Sequence, residues 1–254
     1  FMLEGTPGKK EIKELKVGSP LEEVLDFSHI LTSERNEKYF FTTADRVDHL
    51  VLGGAEMSNA VRAKDNKIIP IVASKILLRV FSILQGFTER EAIIEKLMTK
   101  FPETGCSYCG KKPCNCALDR PKGLAGIEPS EIQKRWTMSQ WQKHLKEVYG
   151  ASNAQQGMAG ISNRLGSEIA EVVQARMLMD RRDNKEEDTE KYKHEAITEL
   201  ADVFAWALAT CNEIDVDLER AFVERYGKGC PNCNKVPCIC TEFSLIDERK
   251  INRL

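Results

Sequence analysis

Glu168-Ile-Ala-Glu171-Val-Val and Glu199-Leu-Ala-Asp202-Val-Phe are the two stretches of sequence on which the fold assignment depends. In each of them two acidic residues stand three positions apart, so both would project from one face of a helix. The acids also stand beside apolar positions rather than opposite them. The apolar stripe of the first helix consists of Ile161, Leu165, Ile169, Val172 and Val173. We therefore expect partly buried carboxylates on two helices that pack against each other.

The spacing also predicts how the two acidic pairs meet. In an antiparallel helical hairpin, residues at the same height have numbers with a constant sum, and Glu168 with Asp202 has the same sum as Glu171 with Glu199. All four carboxylates would then surround one small volume, where they repel each other unless a cation is present. Oxygen ligands suit hard divalent ions, so we predict Mg2+ first and Mn2+ second. The competing interpretation is two ordinary solvated helix faces.

Helical periodicity extends through most of the chain and strand signals are nearly absent, so the predicted fold class is all-α. In the second half, helices are expected at about residues 130–150, 157–179, 191–212 and 217–226. Ser130 with Gln133 has the pattern of a capping box at the start of the helix expected at residues 130–150. Asp217 has the position of a cap on the helix expected at residues 217–226. The charged run 181–193 is predicted to be a solvated connector, with a mobile lid as the alternative.

Eight of the nine cysteines form two clusters with identical spacing, Cys-x-x-Cys-x-x-x-x-Cys-x-Cys. The clusters consist of Cys106, Cys109, Cys114 and Cys116, and of Cys230, Cys233, Cys238 and Cys240. Four thiolates on a short loop with Gly and Pro between them can close around one Zn2+ ion, so we predict two structural zinc sites. An iron-sulfur cluster and local disulfides are the alternatives. The ninth, Cys211, stands in an apolar helical run and is expected in the core.

The cysteine clusters belong to a longer internal repeat. The segment around Glu56 matches the segment around Glu168, and Val80-Phe81 matches Val203-Phe204. The chain is therefore interpreted as a tandem duplication. The predicted organisation is an N-terminal extension (1–20), a first repeat (21–118), a linker (119–129), a second repeat (130–245) and a tail (246–254).

The first repeat keeps one of the four acids. The residues at the positions of Glu168, Glu171, Glu199 and Asp202 are, in that order, Glu56, Asn59, Ile76 and Arg79. Because an amide, an apolar side chain and a cation replace three carboxylates, we expect this repeat to be unable to hold the metal and to be catalytically inactive.

Charge and composition narrow the classes of partner. The 254 residues carry a formal net charge of -2, which lacks the basic excess that drives non-specific binding to nucleic acid. No stretch approaches the roughly 18 to 20 uninterrupted apolar residues that a membrane helix needs, and residues 1–21 are charged rather than signal-like. We expect a cytoplasmic protein that binds neither membranes nor nucleic acid.

The two acidic motifs, followed by Glu213-Ile-Asp-Val-Asp-Leu-Glu-Arg-Ala-Phe222, resemble the MazG-like nucleoside triphosphate pyrophosphohydrolases, relatives of the dimeric dUTPases. The resemblance covers about residues 136–226 and reaches the first half only through the internal repeat. It implies an all-α enzyme that holds Mg2+ with the four acids and cleaves (d)NTPs to (d)NMPs and pyrophosphate. This chain departs from the family at Ser167, where many members have a further glutamate. It also has a cysteine cluster in place of the usual basic C-terminal segment.

In the related proteins, two helical hairpins, usually from two chains, form a bundle whose cleft binds the nucleotide. The resemblance therefore implies a pseudo-dimeric bundle within one chain, and it allows a homodimer of two such chains. Candidate phosphate contacts are Arg181, Arg182, Lys191, Lys193, Arg225 and Lys228. Trp136, Trp141 and Trp206 are expected in the core, with stacking on the base as the alternative. The alternative functions are a non-catalytic nucleotide sensor or assembly subunit, and a docking protein that uses its zinc knuckles.

Overall fold

The computed structural model describes residues 14–40, 42–87, 91–116 and 130–240. These residues form seven α-helices and no strand, which confirms the predicted all-α class for the described part of the chain. The helices are α1 (Leu21–Tyr39), α2 (Thr43–Arg62), α3 (Ile68–Phe87), α4 (Glu91–Lys100), α5 (Met138–Met179), α6 (Glu186–Asn212) and α7 (Leu218–Tyr226). The predicted linker and C-terminal tail, and most of the N-terminal extension, lie outside the described residues.

The centre of the molecule is a four-helix arrangement. Helix α3 packs against α2 and α6, and α5 packs against the same two helices from the other side. Helix α3 is apolar almost all round because it is the innermost of the four. Among the described residues it is the one helix long and apolar enough to cross a membrane, but 72% of its apolar window is buried inside the bundle. A core helix meets the same criteria.

The start of α5 differs from the prediction. The prediction that an α-helix begins at Ser130 is wrong. A short 3-10 turn at Gln133–Arg135 is followed by an extended Trp136, so no α-helix runs through this segment. Thr137 caps α5 instead, with Gln140 completing the capping box. Half of the predicted capping box forms, because the backbone N–H of Gln133 donates to the hydroxyl of Ser130 at 3.4 Å. The side-chain amide of Gln133 instead donates to the carbonyl oxygen of Phe101 at 2.7 Å and accepts from the backbone N–H of Glu103 at 3.2 Å.

Three other helix boundaries were predicted from the sequence. Gly157 has φ 64° and ψ 174°, which breaks α5 where a new helix was expected to begin. Helix α6 begins at Glu186 rather than at residue 191, so the interpretation of 181–193 as a connecting loop is wrong for most of its length. Glu186, Glu187 and Asp188 explain the early start, since acids stabilise the first turn of a helix. The cap at Asp217 is confirmed, since its side chain accepts from the amide of Arg220.

Helices and contacts recur in the two halves. Helices α2 and α3 form a pair, as do the second segment of α5 and α6, and α7 lies against α3 as α4 lies against α6. Phe81 and Phe204, which match in the sequence repeat, approach each other at 6.3 Å between ring centroids. The amide of Cys114 donates to Val148 in α5 at 2.8 Å, and that of Cys238 donates to Leu31 in α1 at 2.9 Å. Each cysteine loop is therefore attached to the first helix of the other half.

Candidate metal centres

Three of the four predicted acids meet between α5 and α6. Carboxylate oxygens of Glu168, Glu171 and Glu199 all lie within 4.8 Å of one another. Glu168 and Glu199 are half-buried, as expected, whereas Glu171 is exposed. Asp202 lies outside this trio, one turn further along α6, where its carboxylate pairs with the ammonium group of Lys100.

The position of the acids follows from the packing of the hairpin. Ile169 and Val172 on α5 and Leu200 on α6 are buried in the seam between the two helices. Their acidic neighbours in the sequence lie at the edge of this seam, because each helix turns by about 100° per residue. The short turn at residues 181–185 makes the two helices antiparallel neighbours and brings both motifs to one level.

Burial and mutual repulsion act on these carboxylates. The pKa of Glu199 is raised to about 7, mainly by burial, with the nearby acids adding to the effect and the ammonium of Lys100 opposing it. The pKa of Glu168 is also raised, first by burial and then by Asp202 and Glu171. A bound cation would offset this cost, because it favours the ionised form of every carboxylate around it.

The donor set fits a hard divalent ion. Carboxylate oxygens are the ligands that Mg2+ and Mn2+ prefer, and three of them lie close enough together to contact one ion after small side-chain movements. Trp206 adds a positioning contact, since its indole N–H donates to Oε1 of Glu168 at 3.3 Å. The sequence predicts a core position or base stacking for Trp206 and gives no sign of this contact.

Helix α4 supplies two lysines that sequence reasoning missed. Besides its contact with Asp202, the Nζ atom of Lys100 donates to the carbonyl oxygen of Thr198 at 3.3 Å. Lys96 lies 2.9 Å from Nε2 of His194, and its charge acts on Glu199. Because α4 belongs to the first half and α6 to the second, no local motif indicates these contacts.

The matching place in the first half contains an ion-paired cluster. Glu56 lies 3.5 Å from Nζ of Lys75 and 3.6 Å from Nη2 of Arg79. Ile76, at the position of Glu199, is fully buried. Gly53 makes room for the guanidinium group, since a Cβ atom there would stand 2.5 Å from Nη1 of Arg79. Glu56, the one acid of the four that the first half keeps, is therefore paired with cations of the protein itself.

The eight clustered cysteines form two groups with closely similar geometry. The measured Sγ–Sγ distances are 3.7 Å for Cys106–Cys116, 3.9 Å for Cys109–Cys114, 3.7 Å for Cys230–Cys240 and 4.0 Å for Cys233–Cys238. A tetrahedral ion with Zn–S bonds of about 2.3 Å requires edges of about 3.8 Å between sulfurs. A disulfide requires about 2.05 Å, and all nine cysteines are free. Both groups could hold zinc, and local disulfides are not formed.

Glycine turns shape each cysteine loop, and hydrogen bonds and burial within the loop shift the pKa values of its thiols. Gly105 and Gly229 have φ of 140° and 125°, a region that favours glycine, and each begins the turn that leads to the first cysteine of its group. Amide groups of Asn115 and Lys111 hydrogen-bond to Cys109 and lower its pKa to about 6. In the other loop the pKa of Cys230 falls to about 4, first through its hydrogen bond with Cys238. The pKa values of Cys114, Cys116 and Cys240 are raised, first by burial, and that of Cys238 is raised first by its hydrogen bond with Cys230. Each metal-free group therefore holds protons that a bound ion would displace, because metals bind the thiolate.

The basic side chains proposed as phosphate contacts mostly pair within their own segments. Arg181 binds Asp183 at 3.0 Å and Lys193 binds Glu190 at 3.2 Å, while Arg225 donates to the hydroxyl of Tyr226. These cations are not gathered at the acid cluster by any contact among the described residues.

The two other tryptophans form a separate cluster with His144. Trp141 is fully buried, as a core residue would be, and its ring centroid lies 5.0 Å from that of Trp136. The ring centroid of His144 lies 5.1 Å from that of Trp136, and His144 is also buried. Burial lowers the pKa of His144 to about 4. Unlike Trp206, neither Trp136 nor Trp141 forms a hydrogen bond with any of the four acids among the described residues.

No protein-family model, curated protein or solved structure matches this chain. The functional assignment therefore depends on the geometry of the two kinds of metal centre.

Proposed function

We propose that the protein is a Mg2+-dependent nucleotide pyrophosphohydrolase of the MazG-like kind, which cleaves (d)NTPs to (d)NMPs and pyrophosphate. The observation that carries this proposal is the convergence of Glu168, Glu171 and Glu199 within 4.8 Å, with Asp202 on the adjacent turn. Acidic pairs on solvated helix faces have no reason to meet in a half-buried seam. Their mutual repulsion there is costly unless a cation binds.

The four acids would act as ligands for Mg2+, and one of Glu168 and Glu171 would orient the attacking water. When bound, the ion supplies activation of that water and neutralises charge on the departing pyrophosphate during in-line attack at the α-phosphate. The hydrogen bond from Trp206 fixes the carboxylate of Glu168 and so limits the rotamers open to it.

The recurring contacts support the interpretation of the chain as a tandem duplication with a pseudo-two-fold axis. A residue that lies near such an axis contacts its own counterpart, as Phe81 contacts Phe204. The reciprocal attachment of the cysteine loops has the same symmetry. In this proposal the first half is an inactive copy that completes the bundle around one active site per chain.

We further propose that both cysteine groups hold structural zinc. Sulfur separations near the edge length of a ZnS4 tetrahedron support a single ion at each site. They fit a [4Fe–4S] cluster less well, because each thiolate of such a cluster binds a different iron atom. With all four positions of each site occupied by thiolates, no coordination position remains for substrate, which makes both zinc ions structural.

The deciding experiment is a panel of nucleoside triphosphates with Mg2+, in which monophosphate and pyrophosphate are both measured. Glu171→Gln and Glu199→Gln should each lower kcat by about 100-fold or more, because each removes a ligand charge from the site. Glu187→Gln is the matched control: it makes the same change at an exposed position of α6 and should alter kcat by less than about twofold. Release of orthophosphate instead, or full activity in both site variants, would contradict the proposal. Binding without hydrolysis would favour a nucleotide sensor.

A further inference from the structure

The contact between Lys100 and Asp202 joins the two halves of the chain at the acid cluster. Lys100 is the last residue of α4, and its ammonium group contacts Oδ2 of Asp202 and the carbonyl oxygen of Thr198. The side chains of Lys100 and Asp202 are 28% and 19% exposed, so this ion pair is partly shielded from water. It ties up one of the four carboxylates that the proposed function needs as ligands.

The charge of Lys100 acts on acids other than Asp202. It opposes the rise in pKa of both Glu199 and Glu168, so its ammonium group acts on acids of both helices. Asp202 can coordinate a divalent ion with full effect only if the ammonium moves aside, because two cations on one carboxylate repel each other. The four-carbon side chain of lysine is long and flexible enough to permit this movement.

The other half of the chain has no lysine in the place that Lys100 occupies. The cysteine clusters repeat at an offset of 124 residues, and this offset pairs Lys100 with Glu224 on α7. Helix α7 packs against α3 as α4 packs against α6. Glu224 is exposed, and the α7 residue that interacts with the charge of Arg79 is Tyr226. The lysine of α4 therefore has no counterpart on α7 beside Arg79.

We propose that Lys100 is a tethered counter-ion that neutralises Asp202 until a divalent ion binds, and that then turns to a phosphate group of the substrate. This inference rests on the proposed function, because it assumes that the acid cluster binds metal. Lys100 lies beside the proposed ligands, so a polyphosphate held at this site would bring several negative oxygens within reach of its ammonium group. The ammonium exchanges one anionic partner for another and remains paired in both states.

The experiment compares the zinc-loaded wild-type protein with Lys100→Met, which keeps most of the side-chain volume and removes the charge. Binding of Mn2+ is measured by calorimetry and by electron paramagnetic resonance. Binding of inorganic tripolyphosphate is then measured in saturating Mg2+. Lys100→Met should bind Mn2+ about tenfold tighter, since a competing cation is gone, and the tripolyphosphate about tenfold more weakly, since a phosphate contact is lost.

Two control variants keep the test specific. Lys143→Met removes the same charge from an exposed site on α5 and should leave both affinities within about twofold of wild type. Lys100→Arg keeps the charge and should restore tripolyphosphate binding. A merely structural role for Lys100 would weaken both ligands together, so opposite changes are the signature of the exchange.

The outcomes separate this inference from the proposed function. If Lys100→Met binds Mn2+ with unchanged or lower affinity, or binds tripolyphosphate as well as wild type does, the counter-ion role is overturned and the metal site stands. If neither wild type nor Lys100→Met binds Mn2+ at the acid cluster, with Glu171→Gln as the reference, the proposed function fails and this inference fails with it.

Discussion

At the scale of single residues, Glu199 shows burial and charge acting together. Its carboxyl group is half-buried beside Glu168, Glu171 and Asp202, and its pKa is raised to about 7. Without metal, the folded protein therefore holds a proton that the unfolded chain has already released at mildly acidic pH. Between the ordinary pKa of glutamate and about 7 the folded state binds more protons, so its stability falls as pH rises through this window.

The same shift predicts the pH dependence of metal binding. The ion must displace the proton of Glu199 below about pH 7, so Mn2+ affinity should rise from pH 5.5 to pH 7 and level off above it. Titrations of Mn2+ at pH 5.5, 6.5 and 7.5 measure the effect. Glu199→Gln, which has no proton to lose, should flatten the profile. A wild-type affinity that is constant over this range would contradict the prediction.

At the scale of helices, α5 depends on the break at Gly157. With φ 64° and ψ 174°, this residue occupies a region that is nearly exclusive to glycine, and a Cβ atom there would meet nothing within 4 Å. Any cost of replacing it therefore arises in the backbone alone. Gly166 lies further along the same helix with equally open space around its Cβ position, but in ordinary helical conformation.

These two glycines predict opposite responses to the same substitution. Gly157→Ala should lower the free energy of unfolding by about 1 to 3 kcal/mol, because alanine is strained in this conformation. Gly166→Ala should raise it by about 0.5 to 1 kcal/mol, because alanine restricts the unfolded chain. Urea unfolding followed by circular dichroism measures both. Stabilisation by Gly157→Ala would mean that α5 straightens in solution.

Sequence patterns located the helices better than their ends. The predicted cap at Asp217 was confirmed because a cap depends on the three residues that follow it. The start predicted at Ser130 was wrong because Gln133, the residue that suggested a capping box, is held by the backbone of Phe101 and Glu103. A distant contact decided that boundary, and no local pattern contains it.

At the scale of the whole molecule, the cysteine loops join the halves. The amide of Cys114 binds the first helix of the second half, and that of Cys238 binds the first helix of the first half. Each metal site should therefore stabilise packing between the halves as well as its own loop. Loss of one ion would loosen one of two matching attachments.

Zinc content and stability should change together. We expect two zinc ions per chain in the wild type and one in Cys109→Ser or Cys233→Ser, with unfolding free energy lower by about 3 kcal/mol or more in each variant. Metal analysis and urea unfolding measure the two quantities. Cys211→Ala is the control, because the buried Cys211 belongs to neither group and its replacement should leave two zinc ions bound. Iron with inorganic sulfide in the purified protein would contradict the zinc assignment.

The ion-paired cluster around Glu56 in the first half should contribute to stability and not to catalysis. Glu56→Gln removes the carboxylate beside Lys75 and the buried Arg79, and should lower the unfolding free energy by about 1 to 3 kcal/mol. Hydrolysis per folded molecule should change by less than about twofold, which an assay well below the unfolding midpoint can show. A large loss of kcat in the folded variant would place Glu56 in the active site.

The sequence by itself determined the all-α class, the two acidic pairs on facing helices and the two groups of four cysteines. These features depend on helical periodicity or on chain segments of about a dozen residues, in which neighbours along the chain are neighbours in space. Only the tertiary structure decided that Lys100 reaches Asp202, that Arg79 and Lys75 pair with Glu56, and that each cysteine loop is attached to the opposite half. The partners in the first and last of these contacts are far apart along the chain and meet only when helices from both halves pack into one bundle, so the choice of partner is made by three-dimensional packing.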